Sequence, residues 1–284
     1  MQQMYLNVPG PGDVSDRKLA YTEFGEHDNR HVVVCVHGVS RLSRDFDRLA
    51  EALSTHYRVI CPDMAGRGLS DSMARAEDYG YPVYISDVRA LLAHIGADKV
   101  HWVGTSMGGL IGMMLAAEAD TPITRIIIND IGPVIPKTAL QRIGTYLGTA
   151  GTFPDLAAGE AYLRGVHASF GPLTDDEWAE LASHSFKPAP DGKGLVLHYD
   201  PQIAEPFKAG SDDDIVLWKI WDRIRCPVLV LRGAESDLLS SETAAEMATR
   251  GPATDVTTLA GIGHAPALMN PGQIGIVRDW LLKG

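Results

Sequence analysis

Gly104-Thr105-Ser106-Met107-Gly108 is the stretch that decides how this chain folds. Ahead of it runs Val100-His101-Trp102-Val103, and behind it Gly109-Leu110-Ile111-Gly112-Met113-Met114-Leu115-Ala116-Ala117. An apolar run of strand length, a glycine-framed turn and an apolar run of helix length predict strand, sharp turn and helix, with a serine at the apex. Small residues around the serine let strand and helix approach closely enough for the turn to form. The serine is then held in a strained backbone conformation, and its hydroxyl projects from the end of the sheet. A bare G-x-S-x-G pattern arises by chance; set between a strand and a helix it becomes a specific signal. The competing interpretation is a glycine-rich turn without chemistry.

Outward from this turn, strand-like runs recur at residues 31–36, 57–62, 123–129, 226–232 and 253–259. Helical patterns separate them at 46–53 and 83–95, and a closing helix is expected at 273–282. Residues 19–24 alternate, as an exposed antiparallel strand would. Strands alternating with helices predict an α/β fold, a mostly parallel sheet with helices on both faces. Ligands of such sheets bind outside the carboxyl ends of the strands. Residues 133–211 break the alternation, with helical patterns at 138–147, 160–170 and 174–185 and a short strand or apolar edge at 195–199. We therefore expect a core of residues 1–132 and 212–284, with 133–211 inserted as a helical cap, or lid, over the active site.

The chain has 284 residues, 45% of them hydrophobic, enough for a sizeable core. Its formal net charge of −11 argues against a nucleic-acid or anionic-membrane surface. The first residues carry no basic or apolar leader, and no run approaches the roughly 18 apolar residues of a membrane span. Cys35, Cys61 and Cys226 each lie in or beside a strand-like run, as buried thiols in a reducing compartment would, so a cytoplasmic location is expected. The expected partner is a small molecule, with no nucleic acid and no membrane; monomer and homodimer are both open.

A serine hydroxyl needs a base, usually histidine, and the histidine needs an acid to fix its tautomer. After the strand at 226–232 comes Gly233-Ala234-Glu235-Ser236-Asp237, and after the last strand Gly261-Ile262-Gly263-His264. Ser106, Asp237 and His264 thus follow the order nucleophile, acid, base. Asp130, at the end of the strand 123–129, and Glu235 are the alternative acids. An oxyanion needs two backbone N–H donors. Met107, at the head of a helix, is one; Val39, or else Ser40, in the loop His37-Gly38-Val39-Ser40 is the other. His37 reads as a structural residue of that loop, and His37, Gly38 and Arg41 are taken to border the substrate. The glycine-rich loop at 63–71 lacks phosphate-cradling spacing and reads as a tight structural loop. His101 reads as a satisfied core histidine. No histidine or cysteine pairs have metal spacing, so no metal is expected.

Together these pieces resemble the α/β-hydrolase superfamily over nearly the whole chain. The residues that carry the resemblance are His37-Gly38 with Arg44-Asp45-Phe46, Asp63-x-x-Gly66-x-Gly68-x-Ser70, Gly104 to Gly109, Arg232-Gly233 through Asp237, and Gly263-His264. The resemblance implies an eight-stranded sheet with an antiparallel second strand, a helical cap after strand 6, a triad of Ser106, Asp237 and His264, and no cofactor. It is nearest to capped esterases, lactonases and carbon–carbon bond hydrolases. The leading expectation is a carboxylic ester hydrolase for short to medium acyl chains. The alternatives are a lactonase or a hydrolase of aromatic ring-cleavage products, then an acyltransferase or perhydrolase, then a non-catalytic ligand receptor. A dianionic ring-cleavage product would call on arginines such as Arg41, Arg142 and Arg164. Cap aromatics such as Trp178, Phe186, Trp218 and Trp221, with Leu140, have the helical spacing of core residues.

Overall fold

The computed structural model describes residues 1–208 and 213–283. The expected end of the cap at 211/212 lies outside the described residues. Strands β1 (Gln2–Val8), β2 (Arg17–Phe24), β3 (Val32–Val36), β4 (Arg58–Pro62), β5 (Val100–Thr105) and β6 (Ile123–Asn129) come first. Four short strands follow, β7 (Val134–Ile135), β8 (Phe186–Pro188), β9 (Leu195–Leu197) and β10 (Ile215–Val216), and then β11 (Val228–Gly233) and β12 (Thr254–Leu259). One eight-stranded sheet runs β1-β2-β4-β3-β5-β6-β11-β12. β2 is antiparallel to β1 and β4; every neighbouring pair from β4 to β12 is parallel. The elbow and its flanking runs predict the mostly parallel sheet; its eight strands and antiparallel second strand are those the resemblance implies, and β1 has no counterpart among the strand-like runs read from the sequence.

Helices α1 (Asp47–Leu53), α2 (Tyr81–His94) and α3 (Met107–Ala116) connect the first strands. Helices α4 (Lys137–Tyr146), α5 (Leu156–Val166), α6 (Asp175–Ser185), α7 (Glu205–Lys208) and α8 (Trp218–Trp221) lie between β6 and β11, and α9 (Ser241–Met247) and α10 (Pro271–Leu282) complete the chain. Successive side chains of a strand point to opposite faces. Val32, Val34 and Val36 accordingly pack with Leu91 of α2 and Ile111 of α3, whereas Val33 and Cys35 pack with Leu49 of α1 and Val277 of α10. Both faces are covered, which is why the central strands read as unbroken apolar runs.

Strand β2 is antiparallel, as expected, but not exposed. It lies between β1 and β4, and from Leu19 to Phe24 it is buried throughout. Two of its buried polar side chains find partners inside: Arg58 Nε donates to Glu23 Oε1 at 2.9 Å, and Thr22 Oγ1 donates to the Cys61 carbonyl at 3.5 Å. Cys226 is half-buried rather than buried.

No described residue between β6 and β11 joins the large sheet. The inserted helices match the sequence patterns because their ends are signalled locally. The Asp155 side chain caps α5, and Thr174 with Glu177 forms a capping box on α6. The helical pattern at 160–170 resolves into α5 and a 3-10 turn, Ala168–Phe170. Leu163, Trp178, Leu181 and Phe186 form a small core of their own against Met269. Trp178, Phe186 and Trp221 are buried in packing, and the Arg250 guanidinium lies 4.5 Å from the centre of the Trp218 ring.

Candidate active site

The elbow at Ser106 is set by sterics. Ser106 adopts φ 51° and ψ −111°, a strained conformation for a residue with a side chain. A Cβ built on Gly104 would sit 2.3 Å from the Gly108 carbonyl oxygen, and one on Gly108 would sit 2.0 Å from that of Val36. Only glycine allows the approach of β5, α3 and β3 that the turn requires. The Ser106 N–H donates to the Asn129 carbonyl at 3.0 Å, which ties the elbow to the end of β6.

His264 reaches the serine from the loop after β12. The Ser106 hydroxyl and His264 Nε2 are 2.9 Å apart, and His264 Nδ1 lies 2.8 Å from Asp130 Oδ2. This network assigns the imidazole proton to Nδ1, facing the carboxylate, with Nε2 free to accept from Oγ. The inserted segment also holds the histidine loop. The Gly263 N–H donates to the Ser169 carbonyl at 2.8 Å, and the Ser169 hydroxyl donates to the His264 carbonyl.

The geometry corrects the choice of acid. Asp237 does not meet His264; its half-exposed carboxylate takes two bonds from Arg142 of α4, at 2.5 and 3.0 Å. Glu235 is exposed. The partner of His264 is Asp130, directly after β6, fully buried and at φ 57°. The loop after β11 contributes donors instead of the acid. The Gly233 N–H gives to Asp130 Oδ1 at 2.7 Å, and the Ser236 hydroxyl to Oδ2 at 2.6 Å. Three hydrogen bonds, one from His264, keep this buried carboxylate supplied with donors.

Beside Ser106 opens a cavity of about 390 Å³. Leu110, Met114, Ile131, Leu140, Ile143 and Phe207 supply much of an apolar wall, and Ser106, Met107 and Val39 lie at its reactive end. Met107 is the first residue of α3, so its N–H has no intrahelical acceptor. The Gly38–Val39 peptide is held from its carbonyl side, where Gly38 O accepts from Arg41 N–H at 3.1 Å and from His37 Nδ1 at 2.7 Å. A trans peptide then directs the Val39 N–H the opposite way. His37 Nε2 accepts from the Met64 N–H at 3.0 Å. Complete burial pushes the His37 pKa down to about 3, so the ring stays neutral and keeps both bonds.

Two expected substrate neighbours lie elsewhere: His37 is buried behind the loop, and Arg41 pairs with Asp45 at 2.7 Å. Gly38 stays beside the nucleophile, where a Cβ built on it would sit 3.8 Å from Ser106 Cβ. Arg142 is committed to Asp237, and Arg164 to Glu160 and Asp175. The arginine that does line the cavity is Arg67. It lies in the loop taken for purely structural, and loop spacing gives no sign of where such a side chain points. His101 is not satisfied: its Nδ1 is buried without a partner, and burial lowers its pKa to about 4.

A model described as the alpha/beta hydrolase family matches residues 33–274. The chain belongs to that family. This hydrolase is 46% identical over 270 residues to the 3-hydroxybutyrate-oligomer hydrolase of Cupriavidus necator, a match covering 93% of this chain and 92% of the other. It is 26% identical over 231 residues to the 2-(acetamidomethylene)succinate hydrolase of Mesorhizobium japonicum, covering 80% and 79%. The crystal structure of an alpha/beta hydrolase from Novosphingobium aromaticivorans superposes with a TM-score of 0.88 at 34% identity, over 100% of this chain and 98% of the other. Among the described residues, no helix of this hydrolase is long and apolar enough to cross a membrane.

Proposed function

We propose that this protein is a serine hydrolase of carboxylic esters with short to medium acyl chains, oligomers of 3-hydroxybutyrate foremost among them. The observation that carries this is the chain Ser106–His264–Asp130, with bonds of 2.9 and 2.8 Å, opening on an apolar cavity. The 46% identity to a 3-hydroxybutyrate-oligomer hydrolase supports the substrate class. The cavity volume, about 390 Å³, falls near the lower end of the roughly 300–1,000 Å³ of small-molecule sites, which suits short esters.

In the proposed reaction Ser106 Oγ attacks the ester carbonyl while His264 Nε2 takes its proton. Asp130 stabilises the imidazolium and holds its tautomer. The Val39 and Met107 N–H groups bind the oxyanion. The alcohol departs with the proton from His264, and water, activated by the same histidine, releases the acid from Ser106. Residues 133–208 act as a helical lid, and free Cys35, Cys61 and Cys226 support a cytoplasmic location.

The test is turnover of p-nitrophenyl butyrate and of the 3-hydroxybutyrate dimer by wild type and Ser106→Ala. Wild type should cleave both, and Ser106→Ala should lose at least about a thousandfold in kcat. Near-native turnover by Ser106→Ala would overturn the proposal.

A further inference from the structure

Arg67 is 1% exposed, yet it lines the cavity beside Ser106. Its Nε donates to the Val39 carbonyl at 2.9 Å, and its Nη1 to the Ala65 carbonyl at 2.6 Å and to Tyr84 Oη at 2.9 Å. Among the described residues Nη2 meets only a sulfur, Met107 Sδ at 3.8 Å, a weak acceptor. The guanidinium carbon lies 5.7 and 5.3 Å from the ring centres of Tyr79 and Tyr84. Among the described residues no carboxylate is in ion-pair contact with Arg67. Of the four other buried arginines, Arg17, Arg41 and Arg58 each pair with one, and Arg232 is held by the Leu239 and Ala234 carbonyls.

A cation in a dry pocket is costly to keep unpaired, and carbonyl oxygens and aromatic faces compensate only part of its lost hydration. The uncompensated side here, Nη2, touches the side chain of the residue directly after the nucleophile. An anion entering the cavity near the scissile bond would supply the missing partner through a charge-assisted bond. Surrounding apolar walls would exclude the water that screens such a pair. The chain as a whole, at −11, repels anions, so any preference for them has to be local.

We propose that Arg67 forms a carboxylate subsite that selects esters carrying a free carboxylate a few bonds from the scissile carbonyl, as an ester of a hydroxy acid does. This rests on the ester-hydrolase function proposed above. It makes Arg67 a specificity residue as well as a support for the Val39 loop.

The experiment compares kcat/KM for the 3-hydroxybutyrate dimer as free acid and as primary amide, which share one scissile ester. Wild type should prefer the acid by roughly 10- to 100-fold, the range of one charge-assisted bond. Arg67→Met should bring the ratio near one, and Arg67→Lys should retain part of it. Equal parallel losses on both substrates would reduce Arg67 to a loop support and overturn the subsite. A wild-type ratio at or below one would overturn it too. A second measurement needs no variant: inhibition of p-nitrophenyl butyrate cleavage by 3-hydroxybutyrate and by its amide. The acid should bind at least about tenfold tighter, and equal inhibition refutes the subsite. Ser106-dependent cleavage of p-nitrophenyl butyrate with no acid preference would sink this inference alone. No such cleavage would sink the ester-hydrolase function itself.

Discussion

Replacing Asp130 by asparagine should disable the enzyme, and replacing Asp237 should not. Asp130 Oδ1 accepts the Gly233 N–H at 2.7 Å, while Oδ2 faces His264 Nδ1 at 2.8 Å and the Ser236 hydroxyl at 2.6 Å. The amide in Asp130→Asn can keep its oxygen on the Gly233 N–H only by turning its NH2 toward His264. Nδ1 must then be an acceptor, and the imidazole proton moves to Nε2, where it faces Ser106 and blocks proton abstraction. The opposite amide orientation sets NH2 against the Gly233 N–H, donor against donor. A wrong-tautomer histidine costs about 10⁴ in kcat, near 5.5 kcal/mol. Asp237→Asn breaks a half-exposed pair with Arg142 worth about 0–1 kcal/mol, so kcat/KM should stay within about threefold. The assay is p-nitrophenyl butyrate hydrolysis between pH 7 and 9, with circular dichroism to confirm folding. Asp130→Asn within tenfold of wild type, or Asp237→Asn matching its loss, would refute the tautomer argument.

His37 predicts a pH dependence of stability. Unfolded, it takes up a proton near 6.5; folded, its pKa lies at about 3, so its contribution is complete above pH 6.5 and is lost as pH falls toward 3. Urea unfolding of His37→Asn should therefore show about 2 kcal/mol less destabilisation between pH 7 and pH 5 than wild type; an unchanged difference would contradict the buried neutral ring. Gly108→Ala places a Cβ 2.0 Å from the Val36 carbonyl and should cost about 3 kcal/mol or more in thermal or urea unfolding. Gly165→Ala, exposed in α5 with open space around it, should instead stabilise by up to about 1 kcal/mol.

The fold was legible because its signals are local. Unbroken apolar strands, the glycines of the elbow and the caps of α5 and α6 each speak for a few neighbouring residues. The acid was harder, because two strand ends converge on one histidine. Asp237 and Asp130 both follow sheet strands, and the loop after β11 does reach the site, but through Gly233 and Ser236. Asp130 could be weighed from its place directly after the strand 123–129, yet only the placement of His264, with Nδ1 2.8 Å from Asp130 Oδ2, decides between the two. Alternation at 19–24 suggested exposure, since nothing local announces that Glu23 has a buried partner in Arg58 from another strand. Arg67 was missed for the same reason: its role depends on the Val39 loop and on α2 and α3, none of them adjacent in sequence.

The central claim is a covalent acyl-enzyme on Ser106. Rapid acid quench during turnover of p-nitrophenyl butyrate, followed by peptide mass spectrometry, tests it most directly. A butyryl adduct on the peptide that contains Ser106, absent in Ser106→Ala, is the predicted result. An adduct on another residue, or turnover by wild type and Ser106→Ala alike with no adduct in either, would contradict the account.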